Sequence, residues 1–166
     1  VEDGKLKILL NEWSGLDFAG RAGVGVVSLP DLTVEALVVP SYQGNLIPNA
    51  ILEGDGDYNY IYLEERPGGF SVFSSVARVP KGKLSDPTVP WEFFTDDNIW
   101  VTDESQAKRI VDAAVGSVMK LGPNNYVMSA VPHLSRELAV WYAPTPVGPW
   151  QHETAVHQMP AEEGVL

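Results

Sequence analysis

The chain has 166 residues, 45% of them hydrophobic and 20% charged, a composition that can bury a core and is not that of a disordered protein. Its 22 acidic and 11 basic residues leave a net charge of -11, which repels phosphate backbones and anionic lipid, so nucleic acid and membrane surfaces are poor partners. Cysteine is absent, which excludes a disulfide framework, a thiolate metal site and a Cys nucleophile, and no apolar run reaches the roughly 18 residues that span a bilayer.

In chain order, residues 6–10 follow the turn Glu2-Asp3-Gly4-Lys5 and read as a buried strand. Residues 23–29 form the next strand, and residues 33–39 a third beyond a proline. A second unit opens with the small, apolar segment 49–52. It continues through Tyr58-Asn59-Tyr60-Ile61-Tyr62-Leu63, introduced by Gly54-Asp55-Gly56-Asp57, then through residues 70–79, and ends at 91–94. The third unit repeats this order with 115–121, 126–130 after Gly122-Pro123-Asn124-Asn125, 138–143 and 150–156. One stretch breaks the pattern. Ala107, Ile110, Val111 and Ala114 recur at helical spacing behind Asp103, a good amino-terminal cap, and predict a short helix near 104–114.

Two of these units carry the same outer signature about sixty residues apart: a strand meets proline and the next strand opens with Pro90-Trp91 or Pro149-Trp150. Self-similarity of that size predicts an all-β chain built as a β-propeller of four-stranded antiparallel blades near 1–40, 45–95 and 112–158, the first lacking its inner strand. Rings of this kind close with about 4 to 8 blades, so a single partial domain of about three is expected. The chain then reads as a piece of a longer protein, with residues 161–166 leading onward, or as one copy of a self-associating ring. The same strand spacing also permits a small open β-sandwich.

In an up-and-down sheet alternate connections open at the same end. One end therefore gathers residues 11–17, 42–49, 64–69, 96–112 and 132–137, rich in carboxylates, arginine and tryptophan. Glu12, Glu64, Glu65 and Asp112 are candidates there for acid and base work, because paired carboxyl groups in unequal environments can divide those roles. The plain alternatives are a solvated ion pair within Glu64-Glu65-Arg66, a water-facing Asp112, loop packing for Trp13 and a structural role for His133. His152 and His157 lie on or after an outer strand, so no metal cluster and no cofactor is expected. Asp55-x-Asp57-x-Asn59 begins like a calcium loop, yet Tyr60 stands where that loop needs glycine and Arg66 where it needs glutamate.

Four segments carry a family likeness: Asp55-Gly56-Asp57-Tyr58-Asn59-Tyr60-Ile61-Tyr62; Ser75-Val76-Ala77-Arg78-Val79-Pro80 with Trp91-Glu92-Phe93-Phe94; Gly116-Ser117-Val118; and Ala143-Pro144-Thr145-Pro146-Val147-Gly148-Pro149-Trp150. The chain resembles the five-bladed, glycoside-hydrolase-like propellers of the arabinanase and levansucrase type. It is similar to bacterial propellers of unknown function, some of which hydrolyse D-arabinan. The resemblance implies a secreted or periplasmic protein that hydrolyses or binds a polysaccharide such as an arabinan, or an inactive propeller fragment. Catalytic carboxylates of that family lie on inner strands. Here those strands offer Asn49 and Glu53, and Ser117 with Asp112 ahead of it, so no catalytic position transfers directly. On this reading Asp112 with Glu65 or Glu12 is the catalytic set, and Trp13, Asn49, Arg66, His133 and Arg136 bind sugar.

Overall fold

Turn residues set the strand boundaries. Asn124, at φ 52°, makes the tight reversal in which Gly122 pairs with Asn125, a left-handed conformation that asparagine tolerates well. Gly54 admits no side chain, because a Cβ there would lie 2.5 Å from the Tyr58 carbonyl oxygen. Around such turns the computed structural model, which describes residues 4–15, 17–68, 71–132 and 134–158, folds as an all-β protein of three antiparallel sheets.

The first sheet holds β1 (Lys5–Ser14), β2 (Asp17–Ser28) and β3 (Thr33–Val38). The second runs β4 (Ile47–Glu53), β5 (Tyr58–Glu65), β6 (Phe73–Pro80), β7 (Glu92–Phe94) and β8 (Trp100–Val101). The third runs β9 (Ala113–Gly122), β10 (Asn125–Pro132), β11 (Glu137–Ala143) and β12 (Gln151–Gln158). Consecutive strands are neighbours in every sheet, so each is a meander.

Alternation through the second sheet divides the core in two. Ile61, Leu63, Ala77, Val79 and Phe93 join Val24 and Val26 of β2 in one buried cluster. Leu52, Tyr62, Val76 and Phe94 join Val115, Met128, Ala130 and Trp141 of the third sheet in another. The second sheet is therefore covered on both faces and lies between the other two. Arg78 locks its outer edge: its Nε donates to Glu92 Oε2 at 2.8 Å, and its guanidinium lies 4.1 Å from the Tyr58 ring and 4.4 Å from that of Trp100.

Three expectations need correction. The helix near 104–114 is a single 3-10 turn, Glu104–Gln106. Asp103 does cap it, accepting from the Ser105 amide at 3.0 Å, but the chain is extended again by Ala107. The reason is a free sheet edge: Ser74 of β6 exchanges backbone hydrogen bonds with Ile110 and Val111 at 2.8 and 2.9 Å. The residues at helical spacing are buried instead by two different cores, Ala107 against the first cluster and Ile110 and Val111 in the second. Second, the polar segment after residue 10 is strand, not loop, since β1 continues to Ser14 across a bulge and pairs Trp13 with Phe18. Cross-strand backbone bonding there does not depend on side-chain polarity. Third, β8 is an additional strand, formed where the chain reverses between Thr95 and Ile99 and pairs Trp100 with Phe94. The expected continuation at 161–166 lies outside the described residues.

The connection from β6 to β7 provides a clean titration test. Asp86 accepts from Thr88 Oγ1 at 2.6 Å, from the Thr88 amide at 3.0 Å and from Lys83 Nζ at 3.1 Å, and its carboxyl is lowered to about 2, chiefly by the Thr88 hydroxyl. Because these bonds favour the ionised form, the turn is supported above the ordinary aspartate range and loses that support as pH falls toward the lowered value. In Thr88→Val, NMR titration is expected to show Asp86 moving up toward the ordinary range. An unmoved Asp86 would refute that cause.

Candidate functional site

Four connections converge at one end of the sheets, and three carboxylates organise them. Glu104, from the 3-10 turn, accepts from the Tyr42 hydroxyl at 2.6 Å and from the backbone and side-chain nitrogens of Asn45, both at 3.2 Å. Tyr42 lies flat against Trp91, with centroids 5.0 Å apart, and its hydroxyl also receives the Leu46 amide at 2.7 Å. Burial first, and then the Glu104 carboxylate, push the Tyr42 phenol far above its ordinary range, so it acts as a fixed donor. A Cβ at Gly44 would fall 2.0 Å from Glu104 Oε2, so a side chain there would push the Glu104 carboxylate out of this clamp. The β3–β4 connection is thereby tied to the β8–β9 connection.

Glu64 and Glu65 leave the end of β5 in opposite directions, as alternation requires. Glu64 continues the row of Tyr60 and Tyr62. Its side chain, only 3% exposed, accepts from Asn49 Nδ2 at 2.7 Å and from Arg66 Nε. The Arg66 guanidinium in turn lies 5.7 Å from the Trp13 ring, itself edge-on to Phe18. Three expected sugar-binding residues, Trp13, Asn49 and Arg66, are thus assembled around a buried carboxylate. Removing the cation in Arg66→Ala leaves that charge with less compensation. A loss of about 1–3 kcal/mol in urea unfolding is expected, against a smaller loss for Arg66→Lys.

Glu65 turns the other way and is held by a bidentate pair, Arg109 Nε to Oε2 at 2.7 Å and Nη2 to Oε1 at 2.9 Å. Arg109 stacks over Phe73 at 3.9 Å and feels the charge of Asp112 as well. Hydrogen bonding from Arg109 holds the Glu65 carboxyl below the ordinary glutamate range, so at neutral pH it is an acceptor with no proton to give.

Arg109 lines three adjoining cavities. One of about 540 Å³ is bordered by Glu65, Ser75, Asp96 and Glu104. A second of about 320 Å³ is bordered by Asp112, Trp141 and Trp150. A third of about 390 Å³ adds Asn98 and Lys108 beside Trp150. The indole nitrogen of Trp150 is buried with no hydrogen-bond partner among the described residues. The arrangement sets two indoles, a fixed guanidinium and carboxylates around open space, chemistry suited to a ring that offers hydroxyl groups.

The remaining expected residues stand apart. Glu12 pairs with Arg21 Nε at 2.9 Å, at the bulge where the β1–β2 register shifts between Asn11 and Trp13. Arg136 is exposed in the β10–β11 connection, and His133 lies outside the described residues. Among the described residues no group of three or more His, Asp or Glu could hold a metal ion. Arg109, Glu104 and Tyr42 lie in segments the sequence places at this end, 42–49 and 96–112, but nothing in the order of residues singles them out, because their partners are 44 to 62 positions away. The usable signal for Glu64 was its parity with Tyr60 and Tyr62, which extends a buried row to a charged residue.

No curated protein and no solved structure matches this chain. A model described as a domain of unknown function, DUF5005, matches residues 2–165. The match spans nearly the whole sequence, and the chain belongs to that family.

Proposed function

We propose that this chain recognises a polysaccharide, with its three sheets as successive blades of a β-propeller and the sugar in the cleft around Arg109. The observation that carries this is the grouping of Arg109, Glu65 and Asp112 with Trp141 and Trp150 along adjoining cavities. Indole edges and faces along the cavity wall offer apolar surface, and the fixed guanidinium and carboxylates offer planar donors and acceptors to hydroxyl groups. A neutral polymer such as an arabinan fits better than an acidic one, since the chain carries a charge of -11. A polymeric ligand goes with a secreted or periplasmic location.

Hydrolysis is the second reading, and Asp112 favours it as an exposed carboxylate on the cavity wall next to the Glu65–Arg109 pair. Cleavage needs one carboxyl group that protonates the leaving oxygen and one that stays ionised. Glu65 supplies the ionised member, and Asp112 is the second carboxyl that this reading puts to the test. Binding and reducing-end release should be measured on arabinan, fructan and a uronate-containing polymer, for wild type, Glu65→Gln and Asp112→Asn. Binding without release supports recognition. Release abolished by Asp112→Asn supports hydrolysis, and neither binding nor release on any polymer removes the carbohydrate assignment.

A further inference from the structure

Among the described residues Glu64 is the one charged residue that is buried. Burying a carboxylate is costly, and an apolar side chain of similar volume is often as stable in its place, so stability does not account for it. Its partners do. Asn49 Nδ2 donates to one oxygen at 2.7 Å and Arg66 Nε to the other, and both partners are themselves exposed. Asn49 is the extra residue of a β4 bulge, where the register to β5 shifts between Pro48 and Ala50, a device that re-aims a side chain. The Arg66 side chain is 55% exposed, and its guanidinium lies 5.7 Å from the ring of Trp13, itself 43% exposed. A buried carboxylate thus fixes two polar groups that face solvent, with an indole beside them.

What these groups leave unused defines a ligand. Asn49 Oδ1 and the two Nη groups of Arg66 make no hydrogen bond among the described residues. The Nη groups hold their donors in one plane, and Oδ1 is an acceptor at a fixed position beside them. Two neighbouring hydroxyl groups on a ring match that set, their oxygens accepting from Arg66 and one hydrogen going to Asn49, while Trp13 offers apolar surface. An anionic group matches it poorly, because Glu64 already balances the Arg66 charge and the chain carries -11. We infer that Asn49, Arg66 and Trp13 form a second carbohydrate subsite, apart from the Arg109 cleft, that reads a vicinal pair of hydroxyl groups on a neutral sugar. Glu64 is its positioning residue. The inference rests on the carbohydrate reading and adds to it the element of the sugar that is recognised. Glu64 and Glu65, adjacent on β5, then organise one subsite each.

NMR titration with arabinan and fructan oligosaccharides tests this, read at the Asn49 side-chain amide and the Trp13 indole, with the Trp150 indole reporting on the Arg109 cleft. Asn49 and Trp13 should shift with the sugar that binds. They should not respond to the same oligosaccharide after periodate has cleaved its vicinal diols and the product has been reduced, and a response that persists overturns the diol assignment. Asn49→Ala and Trp13→Ala should each weaken this subsite at least tenfold while the Trp150 response remains. Glu64→Gln leaves the Arg66 charge unbalanced, so its preference should move at least tenfold from neutral toward uronate oligosaccharides, a change that a merely structural Glu64 would not produce. An unchanged preference overturns the positioning role, and the variants at the two exposed positions decide the subsite if Glu64→Gln does not fold. A sugar that shifts Trp150 but neither Asn49 nor Trp13 overturns this subsite and leaves the Arg109 cleft standing. No response at either place removes both.

Discussion

Tyr62→Ala is expected to lower the unfolding free energy by about 3–5 kcal/mol, the range for removing a buried aromatic ring whose cavity the surroundings cannot fill. The side chain is fully buried at the centre of the cluster between the second and third sheets. Its ring meets Trp150 edge-on with centroids 6.3 Å apart, and its hydroxyl donates to the Pro146 carbonyl at 2.7 Å, which ties the β11–β12 turn down onto β5. Tyr62→Phe separates the two contributions: it keeps the ring, loses one hydrogen bond, and should cost about 1 kcal/mol. Urea unfolding followed by tryptophan fluorescence measures both, since Trp150 reports on the same contact. A Tyr62→Ala loss below about 1 kcal/mol would mean that the second and third sheets do not share one packed interface.

That interface was legible in outline from the amino-acid order. Tyr58, Tyr60 and Tyr62 alternate with Asn59, Ile61 and Leu63, and a strand apolar at both parities announces burial on both faces. Turn chemistry at Gly54 and at Pro123-Asn124 placed the strands that follow to within a residue or two. What failed was local periodicity where tertiary pairing overrode it. The apolar spacing from Ala107 to Ala114 is indistinguishable from a helix until the free edge of β6 at Ser74 is known, and that edge exists because β7 stops at Phe94. The site failed in the same place. Arg109 belongs to this misread stretch, so its bidentate pairing with Glu65, 44 positions away, had no sequence signal. Glu12 and Trp13 are adjacent in the chain, yet Glu12 pairs with Arg21 at the β1–β2 bulge while Trp13 meets Arg66 and Phe18.

On the proposed reading, Arg109 rather than any carboxylate is the residue on which sugar binding in the cleft depends. It lines all three cavities, and Glu65 and Phe73 fix its guanidinium from two directions. Arg109→Ala is expected to weaken binding of the preferred neutral polysaccharide at least tenfold, or about 1.4 kcal/mol, by calorimetry or affinity electrophoresis. Arg109→Lys should recover little of this, because an ammonium cannot reproduce a planar, two-point contact. Glu65→Gln keeps the side-chain shape but loses the charge that orients Arg109, and an intermediate loss is expected.

The pH profile distinguishes positioning from simple charge. The Glu65 carboxyl sits below the ordinary glutamate range because Arg109 binds its ionised form, so the pair is present above that range and is lost only as pH falls through the lowered value. Wild-type affinity should therefore be flat through neutral pH and fall only in acid. In Glu65→Gln, where that carboxyl is gone, the acid limb should disappear. An acid limb of unchanged midpoint in Glu65→Gln would assign the titration to another carboxylate, Asp112 being the one whose charge also reaches Arg109.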